Sequence, residues 1–126
     1  MANAFLEHVN ITVSDPAKTA KMLCDLFGWK IRWQGDAIHA GSCIHVGEEN
    51  SYIAVYSPPG KTAPAINSYQ TRAGLNHIAV VVEDLDELDK RVRSLGYEPH
   101  SYADYEPGRR FYFREENEIE YEIVSY

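Results

Sequence analysis

Apolar and polar positions alternate with a period of two along Leu6–Val13. Val9, Ile11 and Val13 fall on one side of an extended chain, and His8, Asn10 and Thr12 on the other. The pattern predicts a strand. The period then changes: after Asp15-Pro16, Ala20, Leu23, Cys24 and Phe27 recur at helical spacing as far as Gly28. Asp as N-cap, Pro at the first helical position and Gly as a left-handed stop punctuate one helix. Further strands are expected over Trp29–Gln34, Ile38–Val46 and Tyr52–Tyr56, with 47–50 as the turn between the last two. A polar, Pro-containing connector, about 58–74, follows.

The second half repeats this plan. Leu6-Glu7-His8-Val9 and Leu75-Asn76-His77-Ile78 each place a His third, continue as an extended run, and reach an Asp seven residues after the His, at Asp15 and Asp84. Each then passes through a helical segment to a Gly and an aromatic, Gly28-Trp29 and Gly96-Tyr97. In the second helix Leu85, Leu88, Val92 and Leu95 form the apolar stripe, and Asp84 with Glu87 reads as a capping box. Strands over Leu75–Val82, Tyr97–Tyr102, Arg109–Arg114 and Glu118–Ser125 complete the half. Two such stretches in register indicate an internal duplication. The expected class is α+β: two βαβββ modules, about 5–57 and 75–126, within one domain over 1–126. Each module has one sheet face covered by its helix and one left over.

Composition narrows the partners. A chain of 126 residues is one domain of ordinary size. Its 19 acidic and 12 basic residues give a net charge of −7, which disfavours binding to a nucleic-acid backbone. Cys24 and Cys43 have neither metal-site nor disulfide spacing and read as small buried hydrophobes in a reducing, cytoplasmic setting. No apolar run approaches the roughly 18 residues of a membrane span, and the first residues lack a signal-peptide pattern. The expected partner is a small molecule, with no nucleic acid and no membrane.

Alternation also sorts the uncovered faces. His8, Asn10 and Thr12 share one with Tyr52, Ala54 and Tyr56; His77, Ala79 and Val81 share the other with Glu118, Glu120 and Glu122, which alternate with Ile119, Tyr121 and Ile123. Carboxylates on a face that is not plainly outward need a counter-charge or a metal. Two imidazoles and a carboxylate on different strands are the parts of a 2-His-1-carboxylate site. His39 and His45 alternate with apolar neighbours and are candidates for a general base or a polar pocket wall. Arg110, Tyr112 and Arg114 share a side; Arg110 could clamp a substrate carboxylate or pair with Glu118 or Glu122. Tyr52, Tyr56, Tyr102, Tyr105 and Tyr112 could line an aromatic pocket or serve ordinary packing.

Three motifs carry a family resemblance over almost the whole chain: Glu7-His8-Val9-Asn10-Ile11-Thr12-Val13, Asn76-His77-Ile78-Ala79-Val80-Val81-Val82, and Gly108-Arg109-Arg110-Phe111-Tyr112-Phe113 followed by Asn117-Glu118-Ile119-Glu120. In these the chain resembles the vicinal oxygen chelate superfamily of glyoxalases, extradiol dioxygenases, fosfomycin-resistance proteins and bleomycin-resistance proteins. The sequence departs from the family at Arg114-Glu115-Glu116, where an Asp-Pro-Asp-Gly turn is usual. The resemblance implies two cupped mixed sheets in one glyoxalase-like domain, commonly assembled as a homodimer. It places metal ligands at His8, His77 and Glu120 for a divalent ion (Fe, Mn, Ni or Zn), with Glu120, His45, Arg110 and Tyr112 as the catalytic candidates. Carried over, the fourth ligand used by glyoxalase I falls on Ala54, leaving the three-ligand set of dioxygenases and fosfomycin-resistance transferases. The activity implied is that of a metal-dependent isomerase, lyase or dioxygenase acting on a substrate with vicinal oxygens. The alternative is a metal-free binding or sequestering protein of the bleomycin-resistance type.

Overall fold

Both helices are fixed by local chemistry. In the computed structural model, which describes residues 3–126, α1 (Pro16–Phe27) begins with Pro at its first turn, and the Asp15 carboxylate accepts the Lys18 N–H at 3.2 Å. Gly28 ends it at φ 70°, in the left-handed region, and donates its N–H to Cys24 O. α2 (Leu85–Ser94) starts in the same way, with Asp84 accepting the Glu87 N–H at 3.0 Å. Only half of the expected capping box forms, because the Glu87 carboxylate accepts from Arg91 Nε at 3.2 Å, one turn along the helix.

Around the helices run eight strands: β1 (His8–Thr12), β2 (Lys30–Asp36), β3 (Ser42–Gly47), β4 (Tyr52–Ser57), β5 (Ile78–Val81), β6 (His100–Tyr105), β7 (Gly108–Arg114) and β8 (Glu120–Ser125). They form two mixed four-stranded sheets, ordered β1-β4-β3-β2 and β5-β8-β7-β6. In each, the strand before the helix pairs in parallel with the last strand of the unit, and the other pairings are antiparallel. The chain divides into two compact units, 1–63 and 64–126, so the division falls inside the connector and its second half belongs to the second unit.

Each unit has its own core under its helix. In the first, Leu23 and Leu26 of α1 are fully buried with Val46 and Val55. In the second, Val92 of α2 is fully buried with Phe111, Phe113, Tyr121 and Ile123. These are the alternate positions of the strands that pairing puts level with one another, Ile44 with Val55 and Phe111 with Ile123. The opposite faces carry the residues considered below.

Most expected strands are trimmed or shifted by a few residues, β1 and β5 to His8–Thr12 and Ile78–Val81, and three of the differences have a plain local cause. The run 38–46 is extended only from Ser42; Ile38–Ala40 is a 3₁₀ turn in which His39 and Ala40 both have φ 59°. The Tyr56 hydroxyl ties down this turn by donating to Ile38 O at 2.7 Å, and Gly41 packs so closely on the Tyr56 ring and Ser57 O that no side chain fits. The strand expected at 97–102 pairs only from His100, after Pro99, which has no N–H to give a ladder. Glu118, at φ 65°, lies in the turn before β8, so alternation begins at Glu120 and Glu118 does not share the face of the other two acids.

That turn is organised by an acid. Glu115 is buried, and its carboxylate accepts from Asn117 N at 2.8 Å, Asn117 Nδ2 at 2.8 Å and Ile119 N at 3.0 Å. Burial raises its carboxyl above the ordinary 4.5, against the lowering effect of these donors. A carboxyl that binds its proton more tightly when folded favours the fold below about pH 4.5, and this contribution fades as pH rises through the raised value. Glu115→Ala strands two backbone donors and is expected to cost about 2 kcal/mol in urea unfolding at neutral pH. Glu115→Gln keeps an acceptor for them and should flatten the acid branch of the stability–pH curve.

Candidate functional site

On the uncovered face of the first unit, pairing sets His8 against Tyr52 and places His45 between Ala54 and Trp33. The rings stack. Tyr52 lies between His8, at 4.7 Å between centroids, and His45, at 4.6 Å, while Trp33 tilts against His45 at 4.9 Å. Gly35 makes room for the Trp33 indole, which comes within 2.8 Å of where its Cβ would be. The Arg32 guanidinium sits over the Tyr52 ring at 4.4 Å, a cation–π contact. Glu7 ties the row together, accepting from the Tyr52 hydroxyl at 3.1 Å and pairing with His8 Nδ1 at 2.9 Å. The His8 bond, and then the Tyr52 bond, hold the Glu7 carboxyl below its usual value.

Burial lowers the proton affinity of His45, and the positive fields of His8 and Arg32 lower it further. His45 therefore presents a neutral imidazole at neutral pH, able to accept a proton. His39, in the 3₁₀ turn and exposed, does not line this face. Ala54 packs with Cys43 and Tyr56 in a small buried cluster, and burial pushes the Cys43 thiol up, leaving it an inert hydrophobe.

The second unit gathers charge where the first gathers rings. β8 presents Glu120 and Glu122, both buried. Pairing sets Glu120 beside Arg114 and Glu122 between Ala79 and Tyr112. His77, directly before β5, points one ring edge at each acid: Nδ1 lies 3.8 Å from Glu120 Oε2, and Nε2 lies 3.2 Å from Glu122 Oε2. Arg110 Nη1 meets Glu122 Oε1 at 3.0 Å, so Arg110 stands in the ion pair rather than as a free clamp. Arg114 Nη2 lies 3.6 Å from Glu120 Oε1. Tyr112 is edge-on to His77 at 5.7 Å, and burial, with Glu122 adding to it, pushes its hydroxyl up.

One participant was not expected. Tyr69, in the 3₁₀ turn Ser68–Gln70 of the connector, donates to Glu120 Oε2 at 2.7 Å and lies 3.2 Å from His77 Nδ1. The only sign of it in the sequence is an aromatic in an otherwise polar stretch. Tyr52, expected on this face, holds a position that alternation did not give. The pair Ile78–Tyr121 sets Glu120 level with His77 one residue earlier, just as β1 and β4 set Tyr52 level with His8. By the internal repeat, the first-unit counterpart of Glu120 is Tyr52, and Ala54 is the counterpart of Glu122. The fourth position thus moves from Ala54 to Tyr52.

Adjacent donors each about 2.1 Å from a tetrahedral or octahedral ion stand about 3.0–3.4 Å apart, so His77 Nδ1 and Glu120 Oε2, at 3.8 Å, would draw slightly together to share one. The Tyr69 hydroxyl bridges the same two atoms. Among the described residues no group of three His, Cys, Asp or Glu side chains converges as a complete metal site.

A model of the Glyoxalase/Bleomycin resistance protein/Dioxygenase superfamily matches residues 5–123. The chain is similar in fold to a glyoxylase/bleomycin resistance protein/dioxygenase domain from Frankia sp. EAN1pec, at 23% identity and TM-score 0.83, with 98% of each chain covered. It is also similar to a variant of the fosfomycin resistance protein FosX from Listeria monocytogenes, complexed with Mn(II) and 1S,2S-dihydroxypropylphosphonic acid. There the identity is 19% and the TM-score 0.71, covering 97% of this chain and 92% of that one. A glyoxalase I variant from Zea mays gives 18% and 0.77, covering 93% of this chain and 43% of the maize chain. Among proteins of curated function none matches the sequence.

The ring row predicts a titration. In ¹H NMR, the His45 midpoint should fall below the ordinary 6.5, and His8→Gln should restore only part of the shift because burial is the larger cause. The fold prefers neutral His45, a preference that costs nothing above about pH 6.5 and destabilises increasingly as pH falls from there to the lowered value.

Proposed function

Because this chain belongs to the Glyoxalase/Bleomycin resistance protein/Dioxygenase superfamily, we propose that it is a metal-dependent enzyme acting on a small molecule with two neighbouring oxygens. Within the second unit His77 and Glu120 would hold the ion, with Fe, Mn, Ni and Zn all compatible with imidazole and carboxylate donors; His8, the third ligand the resemblance gives, belongs to the first unit. The observation that carries this reading is the pairing of His77 Nδ1 with buried Glu120 across 3.8 Å on an uncovered sheet face. When bound, the ion would supply a Lewis acid that polarises a substrate oxygen. The chain's own residues would do the rest. Neutral His45 would take up a proton, and Trp33 and Tyr52 would offer flat surfaces against which a substrate is oriented. Exposed Ile31, Trp33 and Val81 are consistent with self-association in a homodimer.

One observation favours a second reading. Tyr52 stands at the fourth position, and the Tyr69 hydroxyl bridges His77 and Glu120. Such rings and hydroxyls would support a binding protein that sequesters its ligand by stacking and hydrogen bonds.

Elemental analysis of protein purified without chelator, beside His77→Ala, separates the two. The enzyme reading expects about one equivalent of a transition metal per chain, lost in the variant. Wild-type protein that neither retains nor takes up metal on reconstitution would leave the second reading.

A further inference from the structure

The hydroxyl of Tyr69 stands between the two atoms that an ion in the second unit would share. Its single proton goes to Glu120 Oε2 at 2.7 Å, so toward His77 Nδ1, at 3.2 Å, it can only accept. An imidazole proton therefore resides on Nδ1, and the ring offers no lone pair at the edge that faces Glu120. An ion about 2.1 Å from Nδ1 along the same direction would come within roughly 2 Å of the hydroxyl oxygen. The bridging hydroxyl and an ion exclude one another.

The Tyr69 ring is 57% exposed, so burial does little to hold it and its polar bonds matter more. The backbone bonds of its segment run within the segment: Gln70 N to Asn67 O at 3.2 Å, Thr71 N to Ser68 O at 3.3 Å and Gly74 N to Thr71 O at 2.9 Å. The Asn67 side chain closes the same turn, accepting from Tyr69 N and donating to Gln70 Oε1. Residues 67–74 thus form a small, internally bonded piece that the Tyr69 hydroxyl ties to β8. Near its end Ala73 has φ 67°, a left-handed conformation that costs energy for a residue with a Cβ. We propose that Tyr69 is a latch: closed, its hydroxyl holds this segment over His77 and Glu120, and binding of an ion between them requires the hydroxyl to withdraw and frees the segment. On opening, the phenol keeps its proton, and the imidazole carries its own on Nε2, leaving Nδ1 and Oε2 as donors. This rests on the reading of His77 and Glu120 as metal ligands and deepens it by naming what fills their shared space beforehand. Bonds that must break before the ion binds lower the apparent affinity for it.

The test uses the whole chain, with ¹⁵N-labelled histidine and Zn(II) as the probe, in wild type and in Tyr69→Phe, which keeps the ring and removes the hydroxyl. Before zinc is added, two-bond ¹H–¹⁵N correlations should place the wild-type His77 proton on Nδ1. Tyr69→Phe should lose that preference and exchange the amides of Gln70, Thr71 and Gly74 faster. Added Zn(II) should move the wild-type His77 proton to Nε2 and speed exchange of the same amides. Tyr69→Phe should bind Zn(II) at His77 about tenfold more tightly, the worth of one hydrogen bond to a charged group. Weaker binding by the variant makes the hydroxyl a ligand and overturns the proposal, as does unchanged affinity or a wild-type proton on Nε2 before zinc is added. If neither protein takes up zinc, a tautomer and a segment exchange that still depend on the hydroxyl uphold the closed latch and overturn the metal reading; without that dependence both fall.

Discussion

One helix can cover one face of a four-stranded sheet, and each unit has a single long helix. That constraint governs the rest. With a period of two, every strand that sends Val, Ile or Phe under the helix must send its alternate residues to the other face, so the uncovered residues are fixed as a set once the core is fixed. A face left over in this way must be polar enough to tolerate water or must be put to use. Here one carries a row of aromatic and imidazole rings and the other a buried set of acids with their counter-charges.

The units solve the same problem with different chemistry at matching positions. Tyr52 is flanked by two imidazoles and capped by a guanidinium, so its neighbours interact through π faces and one cation. Glu120, at the corresponding place, brings a charge out of water and relies on a hydroxyl, an imidazole and an arginine to make that tolerable. Duplication preserved the scaffold, including the Asp caps at Asp15 and Asp84 and the left-handed Gly28 and Gly96. The side chains on the open faces diverged.

What could be read from the sequence follows this division. Helix punctuation is local chemistry, and the duplicated His8 and His77 runs announce themselves, so the βαβββ plan and the family were legible before any coordinates. Alternation, however, gives parity and not register. Tyr52 and Ala54 share a parity, and only the pairing of β1 with β4 shows that Tyr52 is the one level with His8. Glu118 and Glu120 also share a parity, until a left-handed residue removes Glu118 from the strand. Tyr69 reaches Glu120 across 51 residues from a connector with no periodicity to read. Glu115 was legible only as part of a departure from the family's turn, because nothing in a run of acids indicates which one is folded inward.

The sheet orders distribute stiffness unevenly. β1 and β5 are edge strands, each held within its own unit by one neighbour, whereas β4 and β8 lie between two. His8 rides on one edge strand and His77 directly precedes the other, while Tyr52 and Glu120 belong to interior strands. Edge strands open locally at lower cost than interior ones. In each unit, therefore, the imidazole sits on the more adjustable part of the sheet, and Tyr52 or Glu120 on its fixed frame, so a change at the histidine can be absorbed without disturbing the interior strand beside it.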